Sequence, residues 1–208
     1  MDEEDRIYRE KTIARYKGYY EKYGNDIRSL GWKSEEKIKK RFQTLYDIGI
    51  RTDVSVLDVG CGFGDFPNHF AVMFINGYLG FNYTGIDIVP EFIEVAKKLS
   101  NFGDDEVKFK LGTIDDIKEK YDWVVGSGIF NHKSCSMKYI KKTLKKAFEL
   151  CNKGIAFNFM STYVDYRNPE LFYTNPSLIF DYAKTLSKYV VLRHDYMPYE
   201  FTIYIYKR

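Results

Sequence analysis

Cysteine is scarce in this sequence. Its 208 residues hold three, Cys61, Cys135 and Cys151, an odd number with no C-x-x-C pair, so neither a disulfide framework nor a cysteine zinc site is indicated and no metal is expected. Long hydrophobic runs are also missing. The longest, residues 70–75, falls far short of the ~18 residues a membrane-spanning helix needs. Charge of one sign is not in excess either: 32 basic residues against 29 acidic ones leave only +3, whereas nucleic-acid binding usually shows a pI above ~9 and a concentrated patch. The opening Met-Asp-Glu-Glu-Asp has the wrong charge for a signal or transit peptide, which points to a cytoplasmic protein. Repeats, low-complexity tracts and Pro/Gly-rich linkers do not occur. What is present is a globular balance, 45% hydrophobic and 29% charged, with 19 Tyr and 16 Phe against only 2 Trp. Tyr and Phe fill cores and suit strands, so most of this excess is structural, and the remainder leaves room for a tyrosine-lined pocket.

The first 50 residues read as two helices. Ile13, Tyr16, Tyr20 and Tyr23 share one helical face, and Gly24 suits the C-terminal cap. Ser34 can cap a second helix, with Glu35 and Glu36 in its first turn and an apolar stripe of Ile38, Phe42 and Leu45. From residue 54 the pattern becomes short β-rich runs at 55–59, 83–88, 107–111, 122–126, 154–160, 189–195 and 200–206. Helical runs at 67–74, 90–99 and 137–151, and one opened by Pro176, alternate with them. Such alternation predicts an α/β fold, a Rossmann-like doubly wound sheet of seven strands. The last two strands are joined by only residues 196–199, too few for a parallel crossover, so they form an antiparallel hairpin. Residues 1–50 are then a helical extension and residues 51–208 the sheet domain.

One motif carries chemistry. Val56-Leu57-Asp58-Val59-Gly60-Cys61-Gly62-Phe63-Gly64 leaves the first strand and enters a helix, where open α/β sheets bind ligands. Asp65 stands where a dinucleotide fingerprint needs its third glycine, and no phosphate-loop GK[ST] follows. The acid and the glycines at 60, 62 and 64 resemble motif I of the class I S-adenosylmethionine-dependent methyltransferases. The resemblance extends to the second strand, Tyr83-Thr84-Gly85-Ile86-Asp87-Ile88, to the third strand's end, Leu111-Gly112-Thr113-Ile114-Asp115, to the fourth, Tyr121 through Gly128, and to the final hairpin, about residues 54–208 in all. It implies S-adenosylmethionine as cofactor. Asp58, Gly60, Cys61 and Gly62 would form its turn, Asp87 would accept from the ribose hydroxyls, and Ile88 would lie beside the adenine. The family often has Gly-Asp where Thr113 stands here, so the adenine amino contact falls to Asp115 or to backbone at Ile114. Ser127 opens the loop near the reacting methyl.

Within that loop, Ser127-Gly128-Ile129-Phe130-Asn131-His132-Lys133, His132 is the candidate general base because imidazole titrates near neutrality, and Asn131 could orient the acceptor. The loop lacks the Pro-Pro-aromatic sequence of exocyclic-amine DNA methyltransferases and the paired glutamates of protein arginine methyltransferases, and Cys135 sits in Ser-Cys-Ser, not after a proline. Arg41 borders the buried stripe of the second helix, and a cation there needs a partner. It could take the cofactor's methionine carboxylate, pair with a nearby acid, or run past Phe42 to solvent. The extension commonly closes over the cofactor in this family, so Tyr16 and Tyr20, with Tyr163 and Tyr166 from the long segment after the fifth strand, are expected to line the substrate site. The lysines from Lys133 to Lys153 read as a solvated helix face. The expected protein is a monomer or homodimer that methylates an oxygen or nitrogen of a small molecule. An RNA methyltransferase or a non-catalytic cofactor-binding subunit is the alternative.

Overall fold

The computed structural model describes residues 3–71 and 79–208. Helix α1 (Glu3–Tyr23) and a short 3-10 turn (Ile27–Leu30) lead into α2 (Glu35–Tyr46). The sheet domain follows as β1 (Ser55–Val59), α3 (Asp65–Ala71), β2 (Asn82–Asp87), α4 (Pro90–Leu99), β3 (Val107–Leu111), β4 (Tyr121–Gly126), α5 (Met137–Leu150), β5 (Cys151–Met160), α6 (Pro176–Leu186), β6 (Tyr189–Met197) and β7 (Glu200–Tyr206). The helix expected at 67–74 begins two residues earlier, and its part beyond residue 71 lies outside the described residues. Among the described residues no helix is long and apolar enough to cross a membrane.

The seven strands form one sheet in the order β3-β2-β1-β4-β5-β7-β6. The first five are parallel, and β7 runs antiparallel between β5 and β6. Helices cover both faces, so β1 and β4 are buried on both sides and read as near-continuous apolar runs. One core layer packs Ile140, Leu144 and Ala147 of α5 and Ile179 and Ala183 of α6 on the sheet; the other packs Leu45, Phe66, Phe70, Ile93 and Ala96. β5 starts at Cys151, three residues before the expected strand, because Cys151 still pairs with Tyr121 across a bulge.

Of the two N-terminal helices, α2 docks on the sheet, while α1 packs on α4, α5 and the loop after β4. Ser34 caps α2, its hydroxyl accepting from the Lys37 amide, and Gly24 ends α1 at φ 60°. The buried face of α1 differs from the expected tyrosine stripe. Asp5, Tyr8 and Thr12 are buried, while Ile13, Tyr16, Tyr20 and Tyr23 are only partly so. Two of those three buried residues are polar, and this hides the face from a hydrophobic count. Thr12 satisfies its hydroxyl on the Tyr8 carbonyl, and the Tyr8 hydroxyl donates to the Ile129 carbonyl in the loop after β4.

Candidate functional site

A cleft opens at the carboxyl ends of β1, β2 and β4 and under α1, the crevice position of open α/β sheets. Its empty volume is about 1050 Å³, open solvent at the mouth included.

The floor is the turn after β1. Gly60 and Gly62 stand at φ 74° and 56°, where a side chain is strained. The amides of Gly60 and Cys61 both donate to the Ile86 carbonyl, at 2.8 and 3.0 Å, which ties the turn to the end of β2. Asp87 closes that end. One of its carboxylate oxygens accepts from the Gly62 amide at 3.0 Å and the other from the Val89 amide at 2.9 Å. Each oxygen keeps a further lone pair for a ligand. Burial raises the Asp87 carboxyl, opposed by the backbone amides of Val89, Gly62 and Ile88.

Asp58 is the most telling residue. Oδ2 accepts from the Tyr83 hydroxyl at 2.7 Å, whereas Oδ1 is buried without a partner although the residue lines the cleft. Burial raises its pKa to about 7, with the Tyr83 hydrogen bond pulling it down and Asp87 adding to the rise. A cation beside Oδ1 would satisfy the orphaned oxygen and restore the charge. The Cys61 thiol is likewise pushed up, first by burial and then by these carboxylates, and is therefore no nucleophile.

A model of the methyltransferase domain family matches residues 50–195. The chain belongs to that family. A protein of Mycobacterium tuberculosis named as a methyltransferase is 34% identical over 163 residues, covering 74% of this chain and 93% of the relative. The malonyl-[acyl-carrier protein] O-methyltransferase of Acetivibrio thermocellus is 27% identical over 100 residues, 47% of this chain but only 33% of its own length. Among solved structures, the magnesium protoporphyrin IX methyltransferase of Synechocystis PCC 6803, determined with bound S-adenosylmethionine, superposes with a TM-score of 0.69 over 100% of this chain and 99% of that one. At 11% identity that likeness establishes the fold.

The methyltransferase brings most of the expected positions together. Asp58, Gly60, Cys61, Gly62, Asp87, Ile88, Thr113, Ile114, Ser127, Tyr16 and His132 all line the cleft. Asp115 does not; it faces an adjoining smaller pocket and pairs with Lys142 at 3.3 Å. Thr113 caps a short turn instead, its hydroxyl and amide both donating to Asp116.

Arg41 is also outside the lining. Its partner is Glu200, the first residue of β7: Arg41 Nε donates to one carboxylate oxygen at 2.6 Å and Nη2 to the other, with both side chains buried. Its guanidinium stacks 4.2 Å from the centre of the Trp32 ring, and Trp32 does line the cleft. Arg41 thus holds a wall of the cleft from behind. Tyr20 packs edge-on against Phe63 and Phe92 and donates to Asn25, outside the lining. The Asn131 side chain is buried and accepts from the Met160 amide at 3.3 Å. Tyr163 and Tyr166 stand 61% and 75% exposed on the surface, because their segment turns away after Ser161 to pair at Thr174.

His132 does reach the cleft, but its environment favours the neutral ring. Burial lowers its pKa to about 4, helped by the positive charges of Arg15, Lys133 and Lys11 and opposed by Glu170. Its Nδ1 contacts the Ser134 hydroxyl and accepts from the Ser134 amide at 3.3 Å. Sequence reasoning did not reach Asn158 of β5. This buried side chain accepts from the Gly128 amide at 2.7 Å and donates to the Ser127 hydroxyl, and so fixes the loop after β4. Its signal, a polar residue inside the apolar run of β5, was in the sequence but had no local partner.

Proposed function

We propose that this methyltransferase binds S-adenosylmethionine in the cleft and moves its methyl group to an oxygen or nitrogen of a small molecule. The observation that carries the reading is Asp58 Oδ1, a buried acceptor without a partner, beside a glycine turn that leaves the backbone bare. A cationic ligand with ribose hydroxyls fits this set. Asp58 holds the positive end, Asp87 accepts from the hydroxyls, and Ile88 and Ile114 offer apolar faces to the adenine.

The cofactor supplies an electrophilic methyl on a sulfonium. What the chain contributes is proximity and orientation, which for an in-line displacement supplies most of the acceleration. Ser127 and Gly128 are held by Asn158 at the end of β4, and Trp32, braced by Arg41, packs directly on Gly128. Residues 1–50 act as the cover, since Tyr8, Thr12, Tyr16, Leu30 and Trp32 contribute to the lining. The cover contributed by α1, Leu30 and Trp32 favours a small acceptor over RNA. On the α5 lysine face, Lys142 is engaged by Asp5 and Asp115 and Lys141 lies over the Tyr182 ring. The three free thiols agree with a reducing, cytoplasmic location.

Titration calorimetry with S-adenosylhomocysteine tests the reading. Saturable binding is expected, weakened about 10–100-fold by Asp87→Ala, the scale of one or two hydrogen bonds to a charged group. No heat at millimolar ligand would reject it.

A further inference from the structure

The two ends of the cleft differ in charge. All three carboxylates of the lining, Asp58, Asp65 and Asp87, belong to the glycine-turn end. Around His132 the balance reverses, through side chains set outside the lining: Lys11, Arg15 and Lys133 act on the ring against the carboxylate of Glu170. Arg15 and Lys133 share that carboxylate, at 3.7 and 2.6 Å, so one negative charge serves two cations and positive potential remains.

The imidazole itself offers a proton. A backbone amide can only donate, so the Ser134 amide on Nδ1 assigns that nitrogen as the acceptor and places the single proton of the neutral ring on Nε2. The low affinity of the ring for a second proton agrees with this. His132 therefore presents an N–H donor, and its remaining lone pair is already in use. An alcohol or ammonium acceptor would have to lose a proton, and the lining near His132 holds no group suited to take it. An ammonium would also be repelled by the surrounding cations.

We propose that the acceptor presents a carboxylate to the His132 end of the cleft and is methylated there on oxygen, with His132 Nε2–H as a positioning donor. The proposal rests on the methyl-transfer reading of the same cleft. A carboxylate is ionised at neutral pH and carries its own nucleophilic lone pair. That pair forms the O–CH3 bond as the S–CH3 bond breaks and sulfur keeps the electrons. A methyl ester and a neutral thioether result, and no proton changes hands. A charge-assisted hydrogen bond from Nε2, within the field of Arg15 and Lys133, orients the oxygen.

The test compares three probes of one skeleton, 3-phenylpropanoate, 3-phenylpropanamide and 3-phenylpropylamine, added to the protein saturated with S-adenosylhomocysteine. Calorimetry follows binding, supported by tryptophan fluorescence against the constant background of buried Trp123. The acid is expected to bind at least about tenfold more tightly than the amide, and the amine more weakly still. That preference should largely disappear when Arg15→Gln and Lys133→Gln are combined. His132→Leu should lose both the preference and the turnover, and His132→Gln, which retains an N–H donor but has no basicity, should recover a large part of each relative to His132→Leu. An acid that binds no better than its amide overturns the proposal. So does a His132→Gln variant that keeps affinity but loses turnover, the mark of a base. In a second arm, labelled methyl is transferred to a low-molecular-mass cell extract. Label released as methanol by mild alkali supports the ester, and alkali-stable label overturns it. Failure of S-adenosylhomocysteine to bind strikes the methyl-transfer reading itself, while intact binding without a carboxylate preference strikes only this proposal.

Discussion

Replacing Asp58 with Asn should make the cofactor-free protein more stable at pH 8 while weakening its hold on the cofactor. The folded Asp58 carboxyl titrates near pH 7 because it is buried, while an unfolded one titrates near 3.8. Between those values the folded chain holds a proton that the unfolded chain has released, so stability falls as pH rises from about 4 to 7. The gap of roughly three pKa units is worth about 4 kcal/mol once both states are ionised. The amide side chain removes this cost, and its carbonyl can still accept from the Tyr83 hydroxyl. Its NH2 group then occupies the unpartnered side, which returns about 1–3 kcal/mol of the gain. The net is about 1–3 kcal/mol, or roughly 2–12 °C in Tm for a chain of this size. The assay is thermal denaturation of both proteins without ligand at pH 5 and pH 8. At pH 5 the variant should show little or no advantage, since only about a third of the cost, roughly 1–2 kcal/mol, has then accrued and the unpartnered NH2 group offsets it. At pH 8 the advantage should appear, with S-adenosylhomocysteine affinity reduced about tenfold or more. A variant less stable than wild type at pH 8, or a Tm difference that does not change with pH, would refute the reasoning.

Glu200→Ala should cost about 3–5 kcal/mol by leaving the Arg41 guanidinium buried without its carboxylate, whereas Arg41→Met with Glu200→Leu should recover most of the loss; urea denaturation measures both. Gly60→Ala should cost about 1–3 kcal/mol from its positive φ, and its new Cβ would lie 2.3 Å from a methyl of Ile129. Gly60→Ala should also weaken cofactor binding by distorting the turn, and Ile129→Ala should restore part of that loss, read by calorimetry, because it removes the clash and leaves the backbone strain.

Local chemistry made most of the sheet readable. Val56-Leu57-Asp58-Val59 ends in glycines, so its strand and turn announce themselves, and the four residues 196–199 dictate the hairpin because no parallel crossover is that short. Long-range partners were not readable. The side chain of Arg41 called for a counter-charge, but Glu200, 159 residues away, is reached only because β7 inserts beside β5. The segment after β5 looked like a substrate wall because it is long and rich in tyrosine. In the fold it braces the His132 loop from behind, with the Phe172 amide on the Asn131 carbonyl and the Lys133 amide on the Glu170 carbonyl. Its tyrosines at 163 and 166 are left to solvent. His132 was identifiable as a cleft residue, but its protonation depends on a backbone amide and on cations from α1, which no spacing reveals.

The insertion of β7 also has a consequence for biogenesis. Translation delivers β6 before β7, yet β7 lies between β5 and β6 in the finished sheet. Until residues 200–206 emerge from the ribosome, β5 has no neighbour on one side, and the backbone from Gly154 to Met160 is an open template. That stretch includes Ile155, Phe157 and Phe159, an apolar strand suited to pairing with another nascent chain. Stalled or truncated products ending before residue 200 should therefore aggregate even with the whole glycine turn already made, because the last strand made is an interior one that covers β5.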